Sequence, residues 1–162
     1  MITYRELRKK DWAQVQKVAL KAWLHAYRKI YTRKNIRKFV SSYYSNEQFE
    51  KTYFPAIESG NACFHVALDR GRIIGYSHVG KSRVGWELLR IYLLPRYIGK
   101  GIGGKLLRLN ERFLKKRDVG QYFVWAHAAN RLSVSFYRRN AFARMKEKDD
   151  GPTSICFVKR LQ

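Results

Sequence analysis

An apolar run closed by proline and followed by four closely spaced glycines constrains this chain more than any other stretch. Glu87 to Lys105 reads ELLRIYLLPRYIGKGIGGK. Leu88, Leu89, Ile91, Tyr92, Leu93 and Leu94 have the length and apolar content of a buried strand. Pro95 stops it, because proline donates no ladder hydrogen bond. Gly99, Gly101, Gly103 and Gly104 come next. From 101 to 117 the pattern is helical, with Ile102, Leu106, Leu107, Leu109, Phe113 and Leu114 apolar and Lys105, Arg108, Arg112, Lys115 and Lys116 facing the other way. A strand, a glycine turn and a helix start form a phosphate cradle in that order. Free first-turn N–H groups and the positive end of the helix dipole face the anion, and glycine lets the backbone come close. Taken alone, such a turn is equally a tight strand–helix connection.

The rest of the chain arranges around this element. Ile2 to Leu7 alternate weakly as a first strand. Asp11 can cap a helix running to about Tyr27, with Trp12, Val15, Val18, Ala19, Ala22, Trp23 and Ala26 at helical spacing. Trp23, Tyr27 and Tyr31 follow one another at spacings of four. A core stripe accounts for Trp23, whereas Tyr27 and Tyr31 near the helix end are candidates to face a ligand. A second helical region covers Arg33 to Ile57, with Asn46 as an internal cap and Pro55 and Ser59-Gly60-Asn61 closing it. Phe64–Leu68 and Ile73–Val79 read as strands joined by a tight hairpin at Asp69-Arg70-Gly71-Arg72. Val84–Leu94 is a longer third strand. Tyr122–Ala126 is another, Asn130 caps a helix to about Arg139, and Phe142–Glu147 and Ser154–Val158 end the chain as strands. This order predicts an α/β or α+β fold with a parallel crossover around helix 101–117. At 162 residues without a linker or repeat, one domain over 1–162 is expected.

An apolar content of 46% excludes disorder. No window of about 20 apolar residues predicts a membrane helix, and the N-terminus lacks a secretory apolar segment. Cys63 and Cys156 lie far apart among apolar residues, which reads as two reduced, buried thiols of a cytoplasmic protein. No Cys/His cluster has zinc spacing, so no metal is expected. The net charge of +22 predicts attraction to polyanions, whether nucleic acid, a nucleotide cofactor or an anionic surface.

The stretch LLRIYLLPRYIGKGIGGKLL, followed by WAHAANRLSVSFYRRNAF, resembles the GNAT superfamily of acetyl-CoA-dependent N-acetyltransferases. The resemblance covers about Arg72 to Phe142, and element order carries it further. The ELLRIYLLP wording and the paired aromatic-rich N-terminal helices most resemble the spermidine/spermine N-acetyltransferase branch. The family fold implied is a mixed, mostly antiparallel central sheet of about six to seven strands. It has a parallel pair flanking the cofactor and helices on both faces. The family signature, Gln/Arg-x-x-Gly-x-Gly/Ala, puts its glycines on Gly101 and Gly103 and its first position on Ile98, where this chain departs from it. A literal match from Arg96 through Gly99 to Gly101 is out of register with the strand and helix. The resemblance implies that Gly99, Lys100, Gly101, Ile102, Gly103 and Gly104 hold the pyrophosphate of acetyl-CoA. It also implies that the backbone of Ile91, Tyr92 and Leu93 pairs with the pantetheine arm, that Asn130 contacts the cofactor, and that Tyr137 lies near its sulfur. Asn130 reads equally as a helix cap, and Tyr137 as a core tyrosine. Where the family has glycine before phenylalanine, this chain has Asn140-Ala141-Phe142, and Asn140 can supply the left-handed residue that a helix end prefers.

The chemistry implied is acetyl transfer from acetyl-CoA to a primary amine: a polyamine, another small amine, or a peptide amine. A free alkylamine has a pKa of about 10 and must lose a proton before it attacks. Glu87, among Trp86, Leu88 and Leu89, is the candidate base, and an ordinary surface glutamate reads equally well. A backbone N–H near Leu93 would meet the oxyanion, and Tyr137 would protonate the leaving thiolate. His127 at a strand end is a second candidate base. Tyr27 and Tyr31 would bind the acceptor. Two other classes stand beside this one: a basic nucleic-acid-binding module, although no RNP, zinc-finger or basic-zipper pattern occurs, and a non-catalytic acetyl-CoA sensor. A homodimer is compatible with all three.

Overall fold

The computed structural model describes residues 1–162. Seven strands form one sheet: β1 (Ile2–Glu6), β2 (Ala62–Asp69), β3 (Arg72–Ser82), β4 (Gly85–Leu93), β5 (Gln121–His127), β6 (Ala143–Arg144) and β7 (Ser154–Arg160). Their spatial order is β1-β2-β3-β4-β5-β7-β6. Only β4 and β5 are parallel neighbours, and the connection between them carries helix α5 (Ile102–Lys115). The mixed, mostly antiparallel sheet that the resemblance implies is the one observed, with the parallel crossover that the element order predicts.

Alternation along β2 sorts the core onto two faces. Phe64, Val66 and Leu68 pack with Ile73 and Tyr76 under α1 (Trp12–Ala26) and α2 (Arg33–Tyr43), against Val15, Val18, Ala19, Ile36 and Val40. On the other face Cys63 and Val79 pack with Leu107 and Leu114 of α5, and with Tyr137 of α6 (Arg131–Arg139). Asn110 is fully buried on the apolar side of α5. Its Oδ1 accepts from Ser77 Oγ at 3.1 Å and from His65 Nδ1 at 2.9 Å, so a polar pin fixes the helix on the sheet. The β2–β3 hairpin turns on Arg70 and Gly71, both left-handed at φ 49° and 75°, as a two-residue connection of that twist requires.

Several local expectations are corrected. Asp11 precedes α1, but its carboxylate does not cap that helix; it accepts from the Arg8 N–H at 2.8 Å and pairs with Arg5 at 2.6 Å. The region after α2 is not one helix. It breaks at Tyr44 and resumes as α3 (Asn46–Gln48), where Ser45, not Asn46, is the cap. A widened π turn (Phe49–Tyr53) then leads into α4 (Phe54–Glu58). Pro55 opens α4 instead of closing the region, since a first-turn N–H has no intrahelical partner and proline loses nothing by lacking one. The strand expected over Phe142–Glu147 shortens to two residues, Ala143–Arg144. The chain is drawn off the sheet because Arg144 makes a two-pronged ion pair with Asp149, both bonds 2.6 Å, and Asp149 also accepts from the Cys156 N–H.

Candidate functional site

β4 is not the fully buried strand that its apolar run suggests. Its residues are mostly half-exposed, and Leu89 is 39% exposed. The cause is the sheet. β4 meets β5 at Glu87 opposite Phe123, and no register is formed beyond it, so the two strands part and leave a cleft along the outer half of β4. A bulge adds to this effect. His78 pairs with Arg90 and Val79 with Leu88, which leaves Leu89 as the extra residue. The bulge rephases the alternation, so Tyr92 packs toward the α1 face while Ile91 and Leu93 pack toward α5.

A groove of about 490 Å³ occupies the cleft. Ile91, Tyr92 and Leu93 form one wall; Gly99, Gly101, Gly103 and Gly104 form the end; and Ser133, Phe136, Tyr137, Arg139 and Asn140 of the α6 region form the other wall. Gly101 precedes α5 with φ 78° and no side chain caps that helix, so its first N–H groups are open to the groove. Gly99 is also left-handed at φ 81°, and a Cβ on either residue would enter open space. These two positions need glycine for both conformation and approach. Arg108 and Arg139 add positive charge to the walls. Open N–H groups, a helix N-terminus and two guanidinium groups suit a diphosphate, and the apolar edge of β4 suits an extended chain beside it.

The expected site residues do not all line this groove. Lys100 points away from it into a neighbouring basic bowl, with its Nζ 5.5 Å from the Tyr97 ring. The Ile102 side chain is buried in the core beneath α5, which leaves its backbone for any anion. Asn130 is 3% exposed, and its Oδ1 accepts from the Ser133 N–H, so the cap reading is realised. Asn140 is not left-handed. Ala141 is, at φ 65°, while the Asn140 side chain donates to the Phe136 carbonyl at 2.8 Å. Tyr137 is buried, lines the groove, and burial pushes its phenol well above the ordinary value.

A second cavity of about 270 Å³ lies on the α1–α2 side. Trp23, Tyr27, Tyr31, Phe39, Tyr43 and Trp125 line it, with His127 at one edge. Tyr27 joins the two spaces: its hydroxyl is 3.0 Å from that of Tyr92, which walls the groove. Burial raises the Tyr27 phenol. His127 accepts the Ala129 N–H at Nδ1, 3.1 Å away, so that nitrogen is engaged by the backbone of the following turn. Glu87 lines neither cavity. It sits at the closed end of the split, and burial raises its carboxyl above the usual range, with the Arg90 guanidinium opposing that rise.

Sequence reasoning missed Ser133, Phe136 and Arg139 on the groove, and Phe39, Tyr43 and Trp125 on the aromatic cavity. Helical spacing carried the signal for both. Ser133, Phe136, Tyr137 and Asn140 recur at i, i+3, i+4 and i+7, and Phe39 and Tyr43 repeat the spacing of Trp23 and Tyr27.

Comparison with known proteins agrees with this fold. The profile of the acetyltransferase (GNAT) family matches residues 20–142. The spermidine N(1)-acetyltransferase of Thermoplasma acidophilum is 29% identical over 161 residues, covering 99% of this chain and 98% of that protein. The crystal structure of PaiA N-acetyltransferase from Thermoplasma acidophilum, in complex with coenzyme A, superposes with a TM-score of 0.91 at 27% identity, covering 99% of each chain. A GNAT-family acetyltransferase from Staphylococcus aureus Mu50 shares the fold, with a TM-score of 0.79 at 15% identity over 100% of both chains.

Proposed function

This chain belongs to the GNAT family of acetyltransferases, and from that premise we propose that it moves the acetyl group of acetyl-CoA to a primary amine by direct attack, with both substrates bound together. The observation that carries the reading is the groove in the β4–β5 cleft, where an uncapped, glycine-led helix start meets an unpaired strand edge. A small amine is the proposed acceptor, with polyamines among them; the named activity of the Thermoplasma relative supports this. A single sheet running through all seven strands supports one functional unit over 1–162. No helix is long and apolar enough to cross a membrane.

Acetyl-CoA supplies an activated acyl group, whose C–S bond breaks as the C–N bond forms. The first-turn N–H groups at 101–104 and the guanidinium groups of Arg108 and Arg139 bind its phosphates. Here the backbone replaces the side chain that Ile98 cannot provide. The free edge of β4 at Ile91–Leu93 holds the extended arm as an added strand would be held. The incoming ammonium gives up one proton before attack. Glu87 lies outside the groove, four residues and roughly 13 Å along the strand from Ile91, so it is proposed to take the proton through a chain of waters and not by direct contact. Its raised carboxyl brings the acceptor nearer to neutral pH, where general bases work best. Tyr137 stays protonated across the working range and offers its hydrogen to the developing thiolate. Since its phenol holds that proton more tightly than a thiol does, its first contribution is a hydrogen bond, with the proton replaced from solvent as the thiol leaves. In balance, an ammonium and a thioester become an amide, a thiol and one released proton.

Calorimetric titration with acetyl-CoA tests the cradle. The wild-type chain is expected to bind in a one-to-one ratio. Gly101→Val, which forces a branched side chain into a left-handed position, is expected to bind at least tenfold more weakly while still melting cooperatively. No binding by the wild type, or equal binding by the variant, would remove the groove from the account.

A further inference from the structure

The aromatic cavity is electrically unlike the rest of the molecule. The chain carries 34 Lys and Arg and 12 Asp and Glu, yet none of these residues lines the cavity. Its wall is a continuous set of rings. Trp23 and Tyr27 have centroids 4.7 Å apart, Tyr27 and Tyr31 5.8 Å, and Tyr31 and Phe39 5.3 Å at nearly a right angle. Phe39 and Tyr43 continue the wall at 6.3 Å. Ring faces carry negative potential and attract cations most strongly where water is thin. With about 270 Å³ of space, the cavity takes one small head group and not a long chain. Tyr27 is shared with the wall of the groove through its bond to Tyr92, so a group in the cavity sits against the inner end of that groove.

Resting on the transferase reading above, we propose that this cavity selects the acceptor by cation–π contact: it admits one alkylammonium head, and no carboxylate takes part. Two consequences separate this from an acidic channel. A single positive charge suffices for binding, so further charges along the acceptor add little. The cationic surface then disfavours a highly charged amine outside the cavity, which a carboxylate-lined channel would instead welcome. Burial keeps the Tyr27 phenol uncharged and its ring available.

The test uses choline and its neutral carbon isostere 3,3-dimethyl-1-butanol as probes, with binding read by tryptophan fluorescence. Choline is expected to bind at least tenfold more tightly than the isostere and to compete with the acceptor amine for turnover. Tyr31→Leu and Phe39→Leu are each expected to weaken choline binding fivefold or more, with acetyl-CoA affinity unchanged as the check on folding. Equal binding of the two probes would make the cavity merely apolar and overturn the proposal, as would no choline binding at all. Thiol release is followed in the same samples. Release without choline binding would sink this proposal and leave the transferase reading standing, whereas choline binding without release for any amine would overturn the transferase reading and, with it, the cavity's role in selecting an acceptor. A final arm compares n-octylamine with spermidine. Values of kcat/KM within threefold fit one recognised charge, and a hundredfold advantage for spermidine refutes it.

Discussion

Replacing Gly103 with alanine sets two opposing effects against each other. Gly103 lies in the first turn of α5 with ordinary helical φ, so alanine gains helix propensity, up to about 1 kcal/mol. A Cβ there would stand 2.9 Å from Phe136 Cε2 and 3.1 Å from Cζ. Ordinary carbon contacts lie at about 3.5–4.0 Å, so the ring must retreat by roughly 0.6–1 Å. Overpacking of this kind costs about 1–3 kcal/mol. The net destabilisation expected is thus about 0–3 kcal/mol, which for a chain of this size lowers Tm by no more than about 12 °C. Function should suffer more than stability. Phe136 lines the groove and packs edge-on against Tyr137, with centroids 5.6 Å apart, so the displaced ring moves the wall of the cradle. Acetyl-CoA affinity, read by calorimetry, is expected to fall at least tenfold, about 1.4 kcal/mol. Gly103→Ala/Phe136→Leu should recover most of it, because the smaller side chain frees the space. An unchanged Kd in the single variant, or a double variant no better than the single, would refute the steric reasoning.

Other perturbations act on separate parts of the account. Tyr137→Phe should lower kcat by roughly 100-fold, within the range of general acid–base groups, with acetyl-CoA Kd within twofold, as measured by stopped-flow and titration. Glu87→Gln should flatten the acidic limb of the rate profile. In the wild type the rate falls as pH drops through a carboxyl raised above its ordinary value, and a limb that survives the substitution would retire Glu87 as the base. Asp11→Ala should cost roughly 2–3 kcal/mol near neutral pH, because the carboxylate is 4% exposed and leaves Arg5 and the Arg8 N–H unpartnered. The Asp11 carboxyl is lowered in the folded state, so this stabilisation is present above its unfolded value and disappears as pH falls through the folded one. Urea melts of both proteins at neutral and strongly acidic pH would show the gap closing.

The parts of the fold that repeat locally were legible in the chain. The 3.6-residue pattern marked α1 and α5, the Arg70-Gly71 turn marked its hairpin, and the glycines at 99–104 marked the turn at the end of the groove. What escaped depended on distant partners. Leu89 and Ile91 read as buried because nothing in their neighbourhood says that β5 leaves β4 after one register. Phe142–Glu147 read as a strand because the Arg144–Asp149 pair that pulls it away is an ion pair across a loop. The aromatic cavity was half visible. Tyr27 and Tyr31 stood out near a helix end, but Trp125 joins them only when the sheet brings the end of β5 beneath α1 and α2. The distance of Glu87 from the groove was likewise hidden, since proximity in sequence to the cradle strand reads as proximity to the chemistry.

The central claim is tested most directly by incubating the chain with acetyl-CoA and an amine panel of spermidine, spermine, small monoamines and lysine peptides. Released thiol is then counted against N-acetylated product by mass spectrometry. The account predicts thiol release with at least one small amine, one acetyl amide per thiol, and no release without acceptor. Acetyl-CoA binding with no amide from any acceptor, or no binding at all, would contradict it.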